Sequence, residues 1–277
     1  MTQFVEQDAA CAGTNRCGGH SGAPITGLVQ LMGQIDGLPA PLIYRKGWAL
    51  LGYLAMESNR MHSRAALAAL LWPTLGETSA LTNLRQVLSN LNRFCCMALG
   101  ADVLRIERSA VGLMRGSEPM FDIDLLRLAP CQSVYLLAEQ RVFMDGMEDI
   151  ADSNFQSWLE ATRQMLEAQL MGAAERCCDE MLETSRWEPA IQLARALSQR
   201  DPWNEAHARR VMRAHAGSGM RTAALKVYQR FESLLRSELG LNPGKETRQL
   251  LEQIGGTVLN WESGLRSPGY ETAHTLA

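Results

Sequence analysis

The sequence predicts a mainly α-helical chain with a small β component: three helices closed by a β hairpin, followed by an array of paired helices. Apolar residues recur at three- and four-residue steps from Trp48 to Ala55, Leu67 to Leu71 and Leu81 to Phe94, which gives each helix one buried face. Val103 to Met114 alternates around a polar tip, the pattern of a hairpin. Two later segments repeat one another with a shift of 34 residues. The chain of 277 residues has room for two domains, and 46% apolar with 6% aromatic residues suits packed helical cores.

Taken in order, Leu28–Met32 and Ala40–Tyr44 flank Ile35, Asp36, Gly37 and Leu38, a turn between two strands. Arg45 to Met56 forms a first helix with Trp48, Leu51, Leu54 and Ala55 inward and two cations at its start. Arg60 to Ser63 is a short extended link whose serine caps the next helix. That helix, Arg64 to Leu71, turns Leu67, Leu70 and Leu71 inward and stops at Trp72, because Pro73 disfavours a helical residue before it. A loop from Thr74 leads to a third helix capped by Thr78 or Ser79. Strand pair, three helices and hairpin, in that order, make a winged helix-turn-helix.

The third helix is the most informative segment. Leu81, Leu84, Val87, Leu88, Leu91 and Phe94 share one face. The opposite face carries Thr82, Arg85, Gln86, Ser89, Asn90 and Arg93, a donor-rich surface without an acid, suited to phosphates and base edges. A solvated flank that merely lacks acids is the competing reading. In the DNA-reading arrangement Arg85, Gln86, Ser89 and Asn90 face bases while Arg45, Lys46, Arg64 and Arg93 hold phosphates. Arg105 and Arg108 on the hairpin reach the flanking backbone or minor groove. Net charge is −3, yet residues 26–120 hold nine Arg and Lys against six acids, and residues from 121 onward hold seventeen against twenty-two. The basic excess sits on the half with the helix-turn-helix pattern.

The second half reads as a TPR-like α-helical repeat domain. Ala190, Ile191, Ala194 and Leu197 align with Ala224, Leu225, Tyr228 and Phe231 at the tetratricopeptide period. A long helix from Asn154 to Thr184 packs Phe155, Trp158, Leu159, Leu166 and Leu170 against this array, and a helix from Glu246 to Val258 caps it. Gly217 to Gly219, Pro202 and Pro243 break the helices between. Trp187 and Trp203 are placed to plug gaps between helices, and His207 and His215 read as helix-surface residues. Such an array presents a concave surface to a peptide, another protein or a second copy.

Several function classes find no support. There is no phosphate loop, nucleophile elbow or His-Glu-x-x-His motif, so no enzyme is expected. Asp122 and Asp124 read as linker and cap residues. Cys11, Cys17 and His20 lack a fourth ligand, so no metal and no cofactor is expected. Seven cysteines with two adjacent pairs do not form a secreted disulfide framework. Cys95 and Cys96 read as a helix end, and Cys177 and Cys178 as helix packing. No apolar run spans a bilayer, and the first 25 residues form a tail rather than a secretory signal. The expected location is cytoplasmic.

Arg45 to Pro73 followed by Asn83 to Leu91 resembles the DNA-binding domain of SARP-type bacterial regulators, whose winged helix is OmpR-like. Leu239 to Arg248 closely resembles the closing motif of the bacterial transcriptional activator domain that follows in that family. The resemblance spans about Leu28 to Ile254. It implies a winged helix at residues 26–120 and an activator domain at 121–258, between tails at 1–25 and 259–277. It also implies an activator that binds direct repeats of double-stranded DNA as two side-by-side copies and contacts RNA polymerase. Relatives usually carry Arg where this chain has Asn90 and Asn92, so its third helix is less basic. A helical-repeat adaptor, with the winged helix turned into a protein-binding module, is the alternative.

Overall fold

The structure, a computed structural model, describes residues 44–117, 120–128, 130–134, 137, 142–150 and 153–264. The expected strands before the first helix lie outside these residues. Helix α1 (Arg45–Met56), α2 (Arg64–Leu71) and α3 (Glu77–Ala98) follow the apolar periodicity. A three-stranded antiparallel sheet of β1 (His62–Ser63), β2 (Leu104–Ile106) and β3 (Ala110–Leu113) has the order β1-β3-β2. The hairpin is the wing, and β1 pairs with its inner strand through His62 opposite Val111 and Ser63 opposite Ala110.

Two expected caps are replaced by other devices. Ser63 stands at the N-cap of α2 without a side-chain capping bond, because the wing supplies the acceptor: Arg64 N donates to Ser109 O at 2.9 Å. Helix α3 starts at Glu77 rather than after Thr78 or Ser79, with Gly76 as its N-cap. Leu75 N turns back to Trp72 O at 3.1 Å, which shortens the loop, and the acid in the first turn complements the helix dipole.

The core of this half is built from Leu50, Leu54, Leu67, Leu71, Leu84, Leu91 and Leu113, each nearly or fully buried. Each such leucine contributes about 1.5–3 kcal/mol relative to an exposed side chain. Trp48 is half-buried, edge-on to Phe94 at 5.2 Å. The same core continues without a break through Phe121, Phe143, Met144, Phe155, Leu159 and Leu166. The last three lie on the long helix α6 (Ser153–Glu183). The first part of that helix therefore packs against the winged helix, not against the array as the sequence pattern implies. Trp158 sits 4.8 Å from the ring of Tyr53 on α1. Farther along, Leu170 joins Ala174, Cys177 and Cys178 in the separate core of the array.

Between the halves, α4 (Asp122–Leu128) and the short α5 (Pro130–Ser133) carry the chain over. Arg115, just past β3, is buried and joins three elements. It bonds Asp124 and the carbonyl of Ala55, and its guanidinium lies 5.2 Å from the ring of Phe121. Burial pulls its pKa below the ordinary arginine value. The second oxygen of Asp124 accepts from Met120 N at 3.0 Å and Phe121 N at 2.9 Å, so the cap read from sequence is also one half of an ion pair.

The array consists of α7 (Trp187–Arg200), α8 (Glu205–Gly217), α9 (Arg221–Leu234), a π-helical turn (Leu235–Leu239) and α10 (Lys245–Gly264). The two aligned segments bury matching positions: Ala190 and Ala224 are fully covered, as are Ala194 and Leu197 on one side and nearly so Tyr228 and Phe231 on the other. Trp187 plugs a gap, its ring lying where a Cβ on Gly217 would stand. Trp203 does not; it is 48% exposed and donates to Glu238 at 3.2 Å. His207 and His215 are buried, not superficial. His207 bonds Glu175 at 2.8 Å on α6, and His215 lies 3.2 Å from Arg195 on α7, so each spends its ring on an inter-helix contact. Cys177 pairs with Cys131 in a disulfide that ties α5 to α6, beyond the helix packing expected of it. The closing segment docks on α8: Glu205 accepts from Gly244 N at 2.9 Å and from the Thr247 hydroxyl at 2.5 Å.

Two outcomes follow. Arg115→Ala strands the buried Asp124 carboxylate and should lower urea-unfolding stability by roughly 3–5 kcal/mol, whereas Arg115→Met combined with Asp124→Leu should lose less. Gly112→Ala places a Cβ 2.5 Å from the backbone oxygen of Arg60 and should cost roughly 1–3 kcal/mol in the same measurement.

Candidate nucleic-acid interface

Burial of Leu84, Val87, Leu88, Leu91 and Phe94 fixes the rotation of α3 about its axis. The helix therefore turns Thr82, Arg85, Gln86, Ser89 and Arg93 to solvent in one row, with Asn90 half-buried at its edge. Arg85 and Arg93 have no acidic partner among the described residues. Eight residues of helix separate them by about 12 Å, close to the width of the DNA major groove. The Thr82 hydroxyl bonds back to Thr78 O at 2.8 Å, leaving its methyl and lone pairs outward. Cys95, beneath this row, is fully buried, and its thiol is pushed up to about 12 by loss of solvent.

The other cations divide sharply. Arg108 is exposed near the hairpin tip, and Arg105 beside it pairs with Glu107 at 2.9 Å in open solvent. Lys46 spends its ammonium inside the fold, donating to Leu71 O at 2.5 Å and sitting 4.8 Å over the Trp72 ring. Arg64 is half-buried, with its Nε sequestered from water. Arg45 is held by Asp149 at 2.6 Å and by the carbonyl of Gly146. The shared hydrogen bond raises the Arg45 pKa and lowers that of Asp149. Asp149 belongs to a loop that Arg163 of α6 clamps through Phe143 O at 2.7 Å, Met144 O at 2.8 Å and Glu148 at 2.7 Å.

One member of the row has a partner that the sequence pattern did not reveal. Gln86 Nε2 donates to the hydroxyl of Tyr44 at 3.2 Å. Tyr44 precedes α1, where the sequence pattern ends a strand, and only the folded chain brings its hydroxyl beside Gln86 of α3. Among the described residues no group of His, Cys, Asp and Glu could hold a metal ion.

Residues 143–255 match the model of the bacterial transcriptional activator domain. That match covers the α6 helix and the array. The transcriptional regulatory protein MoaR1 of Mycobacterium bovis (strain BCG / Pasteur 1173P2) is 25% identical over 262 residues, covering 87% of this chain and 83% of that one. MoaR1 of Mycobacterium tuberculosis (strain ATCC 25618 / H37Rv) matches with the same identity and coverage. Among solved structures, Mycobacterium tuberculosis EmbR in complex with a low affinity phosphopeptide superposes with a TM-score of 0.60 at 22% identity. That superposition covers 80% of this chain but spans only 62% of the EmbR chain. At this identity the likeness is one of fold. The activator-domain match begins at Phe143, whose side chain is buried in the core shared with the winged helix.

Proposed function

We propose that this SARP-type chain is a sequence-specific DNA-binding transcription regulator. It acts as an activator that binds promoter repeats as two side-by-side copies and contacts RNA polymerase. The observation that carries the reading is the uncovered row Thr82, Arg85, Gln86, Ser89 and Arg93 on the third helix of a winged helix joined to an activator domain. The regulatory names of the relatives support it. In this arrangement α3 enters the major groove, Arg85, Gln86, Ser89 and Asn90 meet base edges, Arg93 meets a phosphate, and Arg105 and Arg108 reach the backbone beside the site. The reading needs no catalysis and no cofactor. No described helix is long and apolar enough to cross a membrane, and we place the regulator in the cytoplasm with its DNA.

The test is a gel shift on a promoter fragment recovered by crosslinking the chain to its genome. Arg85→Ala combined with Gln86→Ala should weaken binding at least tenfold, since each good base contact discriminates by about 1–3 kcal/mol. Binding that stays as tight as the parent's removes α3 from the interface. Diffuse genomic crosslinking, with affinity at the non-specific level of roughly 10⁻⁴ to 10⁻⁶ M, would favour the adaptor.

The Arg45–Asp149 pair yields a separate outcome. Asp149→Asn removes the charge that neutralises Arg45 at the start of α1 and should tighten binding at low salt while steepening the salt dependence by about one counterion. Fluorescence anisotropy at four salt concentrations measures both.

A further inference from the structure

We infer that Tyr44 is a positioning residue of the DNA interface that sets the base preference of Gln86; the inference rests on the DNA-binding reading above. The two side chains meet at 3.2 Å across 42 residues of sequence, with Gln86 Nε2 donating to the phenol oxygen. Neither is part of a core: Gln86 is exposed, and Tyr44 is 40% exposed. An exposed glutamine ordinarily samples several rotamers, and ordering it at a base edge costs entropy. Here the amide is held before DNA arrives.

The anchor is itself fixed. Tyr44 is the N-cap of α1, and its carbonyl oxygen accepts from Gly47 N at 2.8 Å and Trp48 N at 3.3 Å. Its ring therefore projects from the end of a helix whose other residues, Leu50, Leu51 and Leu54, are locked in the core.

The chemistry of the contact selects a base. A glutamine amide has two N–H donors and one acceptor oxygen. Tyr44 takes one donor. What remains is one N–H and Oε1, the pair that reads N7 and the N6 amine of adenine in the major groove. Guanine presents two acceptors there, N7 and O6, and asks for two donors. A Gln86 already committed to Tyr44 cannot supply both. The phenol hydrogen, unused in this contact, is left to donate to a neighbouring phosphate oxygen.

The experiment selects duplexes from a randomised pool with the full-length parent, Tyr44→Phe and Gln86→Ala. Affinities are then measured for the best parent duplex and its single-base substitutions. The parent should prefer adenine at one position by roughly tenfold. Both variants should lose that preference at the same position and keep the rest of the motif. Phe retains the ring, and an unchanged melting temperature verifies folding; a purely structural role would weaken every duplex equally instead. A Tyr44→Phe protein that keeps the full adenine preference, or that loses affinity evenly at all positions, overturns the positioning role while the DNA-binding reading stands. A parent that enriches no sequence sinks the DNA-binding reading, and the positioning role with it.

Discussion

The buried pair of Arg115 and Asp124 constrains everything around it. One guanidinium reaches the end of α1 through Ala55 O and the start of α4 through Asp124. The Arg115 backbone N–H separately donates to Asn59 Oδ1 at 2.8 Å, and the wing, the first helix and the passage to the second half share one cation. With side-chain exposures of 9% and 1%, neither charge has water to fall back on. Taking two such groups out of solvent is costly, so the contact contributes geometry more than net stability. The geometry matters because the wing's position decides where Arg105 and Arg108 stand relative to α3.

A second consequence of the continuous core is mechanical. Helix α6 begins inside the hydrophobic core of the winged helix, at Phe155 and Leu159, and ends inside that of the array, at Cys177 and Cys178. A rigid helix of 31 residues is about 46 Å long. Its two ends are therefore fixed to different units by ordinary apolar burial, with the Cys131–Cys177 disulfide adding a covalent tie near the second. A partner seated on the array would act on a helix that is itself packed into the winged-helix core through Phe155 and Leu159.

Much of this was legible in the residues. The three helices, the wing and the helical repeat follow from period alone, because burial of one face is what period records. Ala190 matched to Ala224 and Leu197 matched to Phe231 keep the same covered positions for that reason. What the pattern hides is partnership across long sequence distances. Nothing local says that Trp158 belongs with Tyr53, that Cys177 meets Cys131, or that His207 reaches Glu175. Two histidines eight apart on a polar helix read as surface residues, yet each is buried with one ring nitrogen facing a charged group on a neighbouring helix. The same holds at the candidate interface: Arg45, Lys46 and Arg64 look alike as cations in sequence, yet Arg45 pairs with Asp149, Lys46 donates to Leu71 O and Arg64 is half-buried.

That division of labour bears on how the proposed interface works. Arg85, Arg93 and Arg108 face solvent without an acidic partner among the described residues, and Arg105 shares its charge with Glu107. With Arg93, Arg105 and Arg108 on the backbone, the salt exponent is roughly 3, so one copy is a weak anchor that ordinary ionic strength erodes by about two orders of magnitude. The asparagines at 90 and 92 add no charge to the same helix. In the proposed arrangement sequence choice would come from few, well-placed groups, and a second copy on an adjacent repeat would add its own phosphate contacts to the exponent. A helix poor in charge but rich in fixed amides and hydroxyls discriminates bases at little non-specific cost. The Tyr44–Gln86 contact fits that economy, since an oriented amide is worth most where bulk electrostatics supply least.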